Sequence, residues 1–397
     1  MGQLTSFNLP IEKKRILLRV DYNVPLKRNK ITDNRKIRTS LPTIKYLLNK
    51  NCKIIIATHL GRPNGKVVPS LRTTLLGKEL EKLLPGKKVR KFDDCIGKEI
   101  KEEIEAAKPK SIFLLENLRF YKEEEENDIA FAHSLANLTD IYVNDAFAVS
   151  HRKHASVEAI TNFLPSIAGM QLGKELIQLS KAIKPKRPSV WIMGGAKLNK
   201  IDLIKQALKK ADYILIGGAL AFSFLKARGI SVGMSKVDSA STKIAAELVK
   251  KHRKRIILPL DFVVAEKFSS RAKTKTVKYN QIKTNQIALD LGAETIDLFK
   301  KYLEKANTVV WNGPLGYFGW AKFAQSTKEI GRYLGKIKAV SICGGGETAE
   351  AITKFHLEHN LTHLSTGGGA ALEFLSGKKL PGIEALEKNR RKFKHLQ

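Results

Sequence analysis

Cysteine is scarce in this chain: three in 397 residues, Cys52, Cys95 and Cys343, all widely separated. No CxxC pair occurs, so neither a zinc site nor a disulfide framework is indicated, and a reducing, cytoplasmic location is expected. Long apolar runs are missing as well. Ile54–Ala57 and Ile112–Leu115 fall far short of the roughly 20 residues a membrane helix needs. At the start, Glu12–Arg15 interrupts the chain before the apolar stretch of a signal peptide forms. Met1-Gly2 followed by Ser6 matches only the loose myristoylation pattern, and a plain initiator end is the simpler reading. There is no GxxxxGK[ST] loop and no GxGxxG fingerprint, which excludes a P-loop protein and the usual dinucleotide site. Acidic residues are few: 38 Asp and Glu against 71 Lys and Arg, a formal net charge of +33.

That charge attracts anions, whether nucleotides, phosphorylated metabolites, nucleic acid or an acidic membrane. The lysines are spread along the whole chain, however, and no basic stretch carries the interleaved aromatics of a nucleic-acid motif. The basic tail Lys388–Lys394 (KNRRKFK) reads as a solvated terminal helix. No specific nucleic acid and no membrane is therefore expected as a partner, and specific anion sites are sought elsewhere. The 43% hydrophobic and 27% charged fractions are those of a folded chain, and the length suits two domains, possibly three.

Short β-branched runs recur at Ile16–Val20, Lys53–Ala57, Ser111–Leu115, Ile141–Val143, Val190–Met193, Tyr213–Ile216, Thr308–Trp311 and Val340–Cys343. Stretches of helical period lie between most of them, among them Ile37–Asn49, Thr74–Leu84, Ile129–Leu138, Ile201–Lys210 and Ile296–Lys305. This alternation predicts parallel sheets covered on both faces. The segment Asp261–Leu291 is more polar and strand-like and predicts an antiparallel excursion. The Lys/Pro-rich patch Lys184–Pro188, after the helical stretch Leu172–Ile183, predicts a boundary between two α/β halves.

The halves differ in chemistry. The second holds five glycine clusters: Gly194-Gly195, Gly217-Gly218, Gly313-Pro314-Leu315-Gly316, Gly344–Gly346 and Gly367–Gly369. Several follow a predicted strand directly, which places them at the carboxyl edge of a parallel sheet, where ligands bind. Glycine lets the main chain approach phosphates closely, and a helix start points N–H groups at them. The first half instead presents arginine and histidine at strand ends: Arg19 in RVDYNVP, His59 and Arg62 in THLGRP, Arg119 in LLENLRFY, His151 and Arg152 in VSHRKHAS. Arginine binds carboxylate and phosphate through paired donors. Together these residues describe a site for a small polyanion, with Asp21 and Asn23 placed for its hydroxyl groups. A nucleotide-phosphate cradle on one half and a polyanion site on the other point to phosphoryl transfer, with water excluded by closure.

The motifs RILLRVDYNVP, THLGRP, LLENLRFY, GGAK, VVWNGPLGYF, GGGET and STGGGA stand in the order and spacing of the phosphoglycerate kinases, which this chain resembles from about Arg15 to Leu386. The resemblance implies an α/β fold of two doubly wound parallel-sheet (Rossmann-like) domains joined by a long helix, in a bilobal, hinge-closing kinase. Its boundaries fall at residues 1–168 for a phosphoglycerate-binding domain, 169–187 for the joining helix and linker, 188–376 for a nucleotide-binding domain, and 377–397 for a returning segment. The implied reaction is reversible phosphoryl transfer between 1,3-bisphosphoglycerate with ADP and 3-phosphoglycerate with ATP, using Mg2+, by a monomer.

By motif, the resemblance assigns Asp21, Tyr22, Asn23, His59, Leu60, Gly61, Arg62, Arg119 and Arg152 to phosphoglycerate. Lys197 would meet the transferring phosphoryl and Lys200 the nucleotide phosphates. Gly217, Gly218, Asn312, Pro314, Gly316, Phe318, Gly345, Gly346 and Thr348 would hold the nucleotide, and Glu347 the Mg2+. Gly346 and Gly369 would supply catalytic amides. Five departures from the family pattern carry expectations. Lys36 stands where the family has its catalytic arginine, flanked by Arg35 and Arg38, either of which is a substitute candidate. Leu198-Asn199 supplies two residues where the family has three between its lysines. Ala219 replaces a glycine, which predicts mild crowding. Gly319 replaces an acidic residue, which predicts nucleotide binding weaker by roughly 0.5–3 kcal/mol for one lost hydrogen bond. Glu347 replaces an aspartate and moves the charge by one methylene. The competing expectation is a weak or inactive homologue with a nucleic-acid-associated role, whose affinity would fall steeply with salt.

Overall fold

The computed structural model describes residues 9–195 and 201–394. The chain divides into two compact units, residues 1–177 with 379–397, and residues 178–378. The division falls inside the helix Met170–Ile183.

In the first unit the chain forms strands β1 (Arg15–Arg19), β2 (Leu26–Lys27), β3 (Lys30–Ile31), β4 (Lys53–Ala57), β5 (Val89–Lys91), β6 (Ile112–Leu114), β7 (Ile141–Asn144) and β8 (Ser166–Ala168). β2 and β3 make a small hairpin. The other six form one parallel sheet in the order β5-β6-β4-β1-β7-β8. Successive strand residues face opposite sides, and Ile16, Leu17, Leu18, Ile54, Ile55 and Ile56 are all fully buried. Both faces are therefore covered, as the unbroken apolar runs predict. The helix Arg35–Asn49 shows how: Ile37, Ile44, Leu47 and Leu48 line its buried stripe. Two cysteines, Cys52 and Cys95, fill core space as small apolar groups.

The C-terminal helix Pro381–Lys392 completes this unit. Its Asn389 is buried; the Oδ1 accepts from the Ser166 amide, and Nδ2 donates to the carbonyls of Thr161 and Leu164. The basic residues Arg390, Arg391 and Lys392 occupy its last turn, where the helix dipole favours positive charge.

The second unit contains β9 (Ser189–Met193), β10 (Tyr213–Ile216), β11 (Ile256–Ile257), β12 (Asp261–Ala265), β13 (Thr274–Lys278), β14 (Ile287–Leu291), β15 (Thr308–Asn312), β16 (Val340–Gly344) and β17 (His363–Leu364). Its main sheet is parallel, in the order β11-β10-β9-β15-β16-β17. From β9 the chain winds outward through β10 and β11, then returns to β15 and winds the other way. The switch point lies between β9 and β15, where an open α/β sheet opens a ligand crevice. Trp191 on β9 and Trp311 on β15, both fully buried, anchor this centre. The segment Asp261–Leu291 forms the expected antiparallel excursion, β13-β12-β14.

Candidate active site

In the first unit the polar residues picked out by sequence gather beyond the carboxyl ends of the neighbouring strands β6, β4, β1 and β7. Three of the loops, after β1, β4 and β6, are sewn together there. Asn23, after β1, accepts the Gly61 amide at 3.0 Å. Asn117, after β6, clasps Leu60: Oδ1 accepts its N–H at 3.2 Å and Nδ2 donates to its carbonyl at 2.8 Å. Arg119 donates to the Gly61 carbonyl at 2.8 Å. Gly61 itself has φ +66°, and a Cβ would come within 2.8 Å of Leu71. A side chain at this point would be strained by the positive φ and would displace the end of Leu71.

On this frame sit the cations. Lys36 Nζ lies 2.6 Å from Asp21 Oδ2. His59 is buried, with Nε2 4.0 Å from Asp21 Oδ1. Burial, then Arg19, Arg119 and Lys36, hold its pKa well below the usual imidazole value. Arg119 is buried beside Glu125 at 3.3 Å. Arg62 is exposed and Arg152 half-buried, and neither has a carboxylate partner among the described residues. Two free guanidinium forks beside a neutral imidazole and a lysine suit a ligand with carboxylate and phosphate ends.

Four assignments change. Arg35 pairs with Asp33 at 2.6 Å and Arg38 donates to Asn34, so Lys36, not a flanking arginine, is the residue brought to Asp21. The helix starting at Arg35 fixes this, because neighbouring helical positions point about 100° apart. The side chains of Tyr22 and Leu60 belong to the core. Tyr22 hydrogen-bonds Ser40 at 2.6 Å, which leaves only main chain to face a ligand at either position.

In the second unit the five glycine clusters follow β9, β10, β15, β16 and β17 at one edge of the sheet. They pack main chain on main chain. A Cβ on Gly194 would lie 2.4 Å from the Pro314 carbonyl oxygen, and one on Gly218 would lie 2.5 Å from the Gly195 nitrogen. Gly217 instead packs against a side chain: its Cβ would lie 2.4 Å from Leu315 Cδ2. The helix Gly346–Lys354 begins directly after Gly345, whose φ is +99°. Its first N–H groups, with Glu347 in the first turn, form a phosphate-ready terminus. Asn312 is fully buried and donates to the Gly344 carbonyl, while the Thr348 hydroxyl accepts from the Gly313 amide and donates to the Gly344 carbonyl. Both side chains thus bond the loop, while the buried Asn312 Oδ1 has no hydrogen-bond partner among the described residues. Gly367–Gly369 begin the helix Gly368–Leu375.

Beside that edge is a cavity of about 490 Å³, lined by Gly218, Ala219, Pro314, Gly316, Phe318 and Glu347. Its apolar walls include Phe222, Phe262, Phe268, Ile287, Leu291 and Tyr317. Sequence reasoning missed these residues, although the antiparallel excursion that carries several of them was recognised. Ala219 has ordinary helical backbone angles, so no glycine is required there. Gly319 offers no side chain, and Lys354 donates to the carbonyls of Phe318 and Gly319 at 3.0 and 2.9 Å. Lys197, Lys200 and the Leu198-Asn199 spacing lie outside the described residues. No group of three or more His, Cys, Asp or Glu side chains able to hold a metal occurs among the described residues.

A largely apolar cavity with Glu347 of a helix N-terminus in its lining, together with a cationic small-molecule site on a second doubly wound unit, defines a nucleotide-dependent phosphotransferase. The family model "Phosphoglycerate kinase" matches residues 7–378. A phosphoglycerate kinase of Moorella thermoacetica is 46% identical over 97% of this chain and 99% of its own length, and one of Dictyoglomus turgidum is 45% identical over 95% and 96%. The solved phosphoglycerate kinase of Coxiella burnetii matches with a TM-score of 0.88 at 35% identity, covering 98% of this chain and 99% of that one. The chain belongs to the phosphoglycerate kinase family. Its activity is reversible phosphoryl transfer between 1,3-bisphosphoglycerate with ADP and 3-phosphoglycerate with ATP, a step of glycolysis. No comparison supports the inactive, nucleic-acid-associated alternative.

Proposed function

We propose that the first unit holds the phosphoglycerate through Lys36, His59, Arg62, Arg119 and Arg152, with Asp21 and Asn23 taking its hydroxyl group. The observation that carries this is the convergence of these residues on four adjoining strand ends, with Arg62 and Arg152 lacking carboxylate partners. The second unit takes the nucleotide, its base in the apolar cavity and its phosphates at the helix starting at Gly346. Lys197 and Lys200 are assigned to the phosphates on the strength of the GGAK motif.

In the ATP-consuming direction the attacking group is the carboxylate of 3-phosphoglycerate. It is ionised at neutral pH, so no general base is required, and none of the described site residues is arranged as one. Catalysis is positioning and stabilisation of charge as the phosphoryl group leaves one oxygen for another. Lys36 has three N–H donors and Asp21 takes one, which leaves two for substrate oxygens. Glu347 fits Mg2+: it is half-buried, sits in the first turn of the helix at the phosphate terminus and has no protein partner among the described residues. A hard cation held by one carboxylate and nucleotide phosphates is the usual magnesium arrangement. Mg2+ would supply neutralisation of phosphate charge.

Cytoplasmic action as a monomer completes the reading. Three buried, unpaired thiols suit a reducing compartment, and no helix among the described residues is long and apolar enough to cross a membrane. The test is a coupled assay with ATP, 3-phosphoglycerate and Mg2+. Arg62→Ala is expected to raise the KM for 3-phosphoglycerate at least tenfold and leave that for ATP unchanged; equal effects on both would overturn the division of labour.

A further inference from the structure

Arg19 has no role in the scheme above, yet each of its guanidinium nitrogens has a polar partner. It is the last residue of β1, and its side chain is wholly buried, so it cannot touch a substrate. Its three nitrogens have separate tasks. Nε donates to Ser156 Oγ at 2.8 Å, Nη1 donates to the Val20 carbonyl, and Nη2 lies 3.3 Å from His59 Nδ1. Behind it Glu124, also fully buried, lies 3.7 Å from Nη2 and accepts from the Ser156 amide and hydroxyl at 2.9 and 2.7 Å. The guanidinium is thus held on three sides and aimed at one imidazole nitrogen.

Arginine is a donor only. An Nδ1 facing it must carry the lone pair, which leaves the imidazole proton on Nε2. A charged imidazolium would set an N–H against an N–H. We propose that Arg19 is a positioning residue: it locks His59 as the neutral Nε2–H tautomer, so that His59 gives the phosphoglycerate a directed hydrogen bond and neither a charge nor a proton. The charged and titratable groups facing His59 agree. They are Arg19 and Asp21 from β1 and its loop, Lys36 from the helix Arg35–Asn49, Arg119 from the loop after β6, and His154 from the loop after β7. Four of the five disfavour a second proton. A neutral donor among these cations adds direction without further repulsion. The inference rests on the reading that His59 faces the phosphoglycerate.

Ring-nitrogen NMR of the 15N-histidine-labelled protein tests it, with His59 assigned by its loss in His59→Gln. The expected result is a single Nε2–H tautomer that stays neutral from pH 8 to pH 5.5. A His59 that titrates in the ordinary range, or sits as Nδ1–H, overturns the proposal, and this measurement needs no Arg19 variant to fold. In Arg19→Lys, and in the milder Ser156→Ala, the expectation is a tautomer mixture that titrates upward. The KM for 3-phosphoglycerate should rise about tenfold at pH 8 with the ATP KM unchanged. Combined with His59→Gln, the Arg19→Lys change should add less than twofold, because both act through one hydrogen bond; full additivity overturns the proposal. If His59→Gln alone leaves the KM unchanged while the tautomer is as stated, the substrate-facing reading fails and the functional half of the inference falls with it.

Discussion

The ammonium group of Lys36 lies 2.6 Å from Oδ2 of Asp21, at the start of the helix Arg35–Asn49. The carboxylate also accepts the Asn23 amide at 3.0 Å, so one aspartate fixes both a lysine and the loop after β1. A lysine used this way gives a point charge rather than a paired fork.

Lys36→Ala is expected to lower kcat by about 10²-fold, the scale of one lost charge-stabilising donor. Lys36→Arg should equal or exceed native turnover, since it keeps the charge and adds the fork. Steady-state kinetics decide: native kcat in Lys36→Ala would reduce the pair to a surface ion bridge.

Gly345→Ala probes the phosphate terminus. The residue has φ +99°, and its Cβ would lie 2.6 Å from Asn312 Nδ2. Strain of about 1–3 kcal/mol follows, and it should appear as a nucleotide KM at least tenfold higher with the phosphoglycerate KM unaltered. An unchanged ATP KM would remove the helix start at Gly346 from the nucleotide site.

Gly319→Glu tests the missing carboxylate. The new Cβ meets the outer end of the part-exposed Tyr317 ring at 2.7 Å, so that ring must shift against Phe268 and Trp320, on which it packs. The expected outcome is an ATP KM lower by about two- to tenfold, one hydrogen bond's worth. The gain should vanish with 2′-deoxy-ATP. An equal gain with both nucleotides would assign the effect to charge alone.

Two buried helix caps give the protein an unusual acid response. Asp145 accepts from Thr43 and from the amides of Gln171 and Leu172, and Asp290 accepts from Ser326 and the Gln325 amide. Burial outweighs these hydrogen bonds and raises each pKa to about 6. The folded protein therefore binds protons at these sites that the unfolded chain, with its lower carboxylate pKa, does not. Each contributes stability that grows as pH falls from 7 through 6 toward 4. Glu124 and Asp140, held below the usual carboxylate range, act oppositely and lose their contribution below about pH 4. In urea unfolding these two carboxyls favour stability rising from pH 7 to pH 5, while His59, neutral in the folded protein and protonated in the unfolded chain, opposes them over the same range. Asp145→Asn should lower the stability gained between pH 7 and pH 5 by about 1 kcal/mol; an identical pH dependence in the variant would refute the account.

Much of the fold was legible residue by residue. Ile16–Val20 and Lys53–Ala57 announced buried parallel strands because apolar residues on both faces have no other home. The glycine clusters announced one sheet edge because several directly follow strands. The short edge strands β5, β8, β11 and β17 gave no such signal, since their two or three paired residues carry no period of their own. The cavity wall was illegible for a different reason. Phe222, Phe262, Phe268 and Tyr317 read as ordinary core residues until the antiparallel sheet is placed against the glycine edge.

The sequence by itself determined the chemistry available: the strand–helix alternation, the motif set that marks the family, the lysine at position 36 and the absent side chain at position 319. These are covalent facts, and local period and residue type suffice to read them. Only the tertiary structure decided which of three neighbouring cations reaches Asp21, that the side chains of Tyr22, Asn312 and Thr348 hydrogen-bond the frame, and which nitrogen of His59 faces Arg19. Each of those depends on the direction of a side chain across elements far apart in the chain, and that direction is set by packing, not by spacing along the sequence.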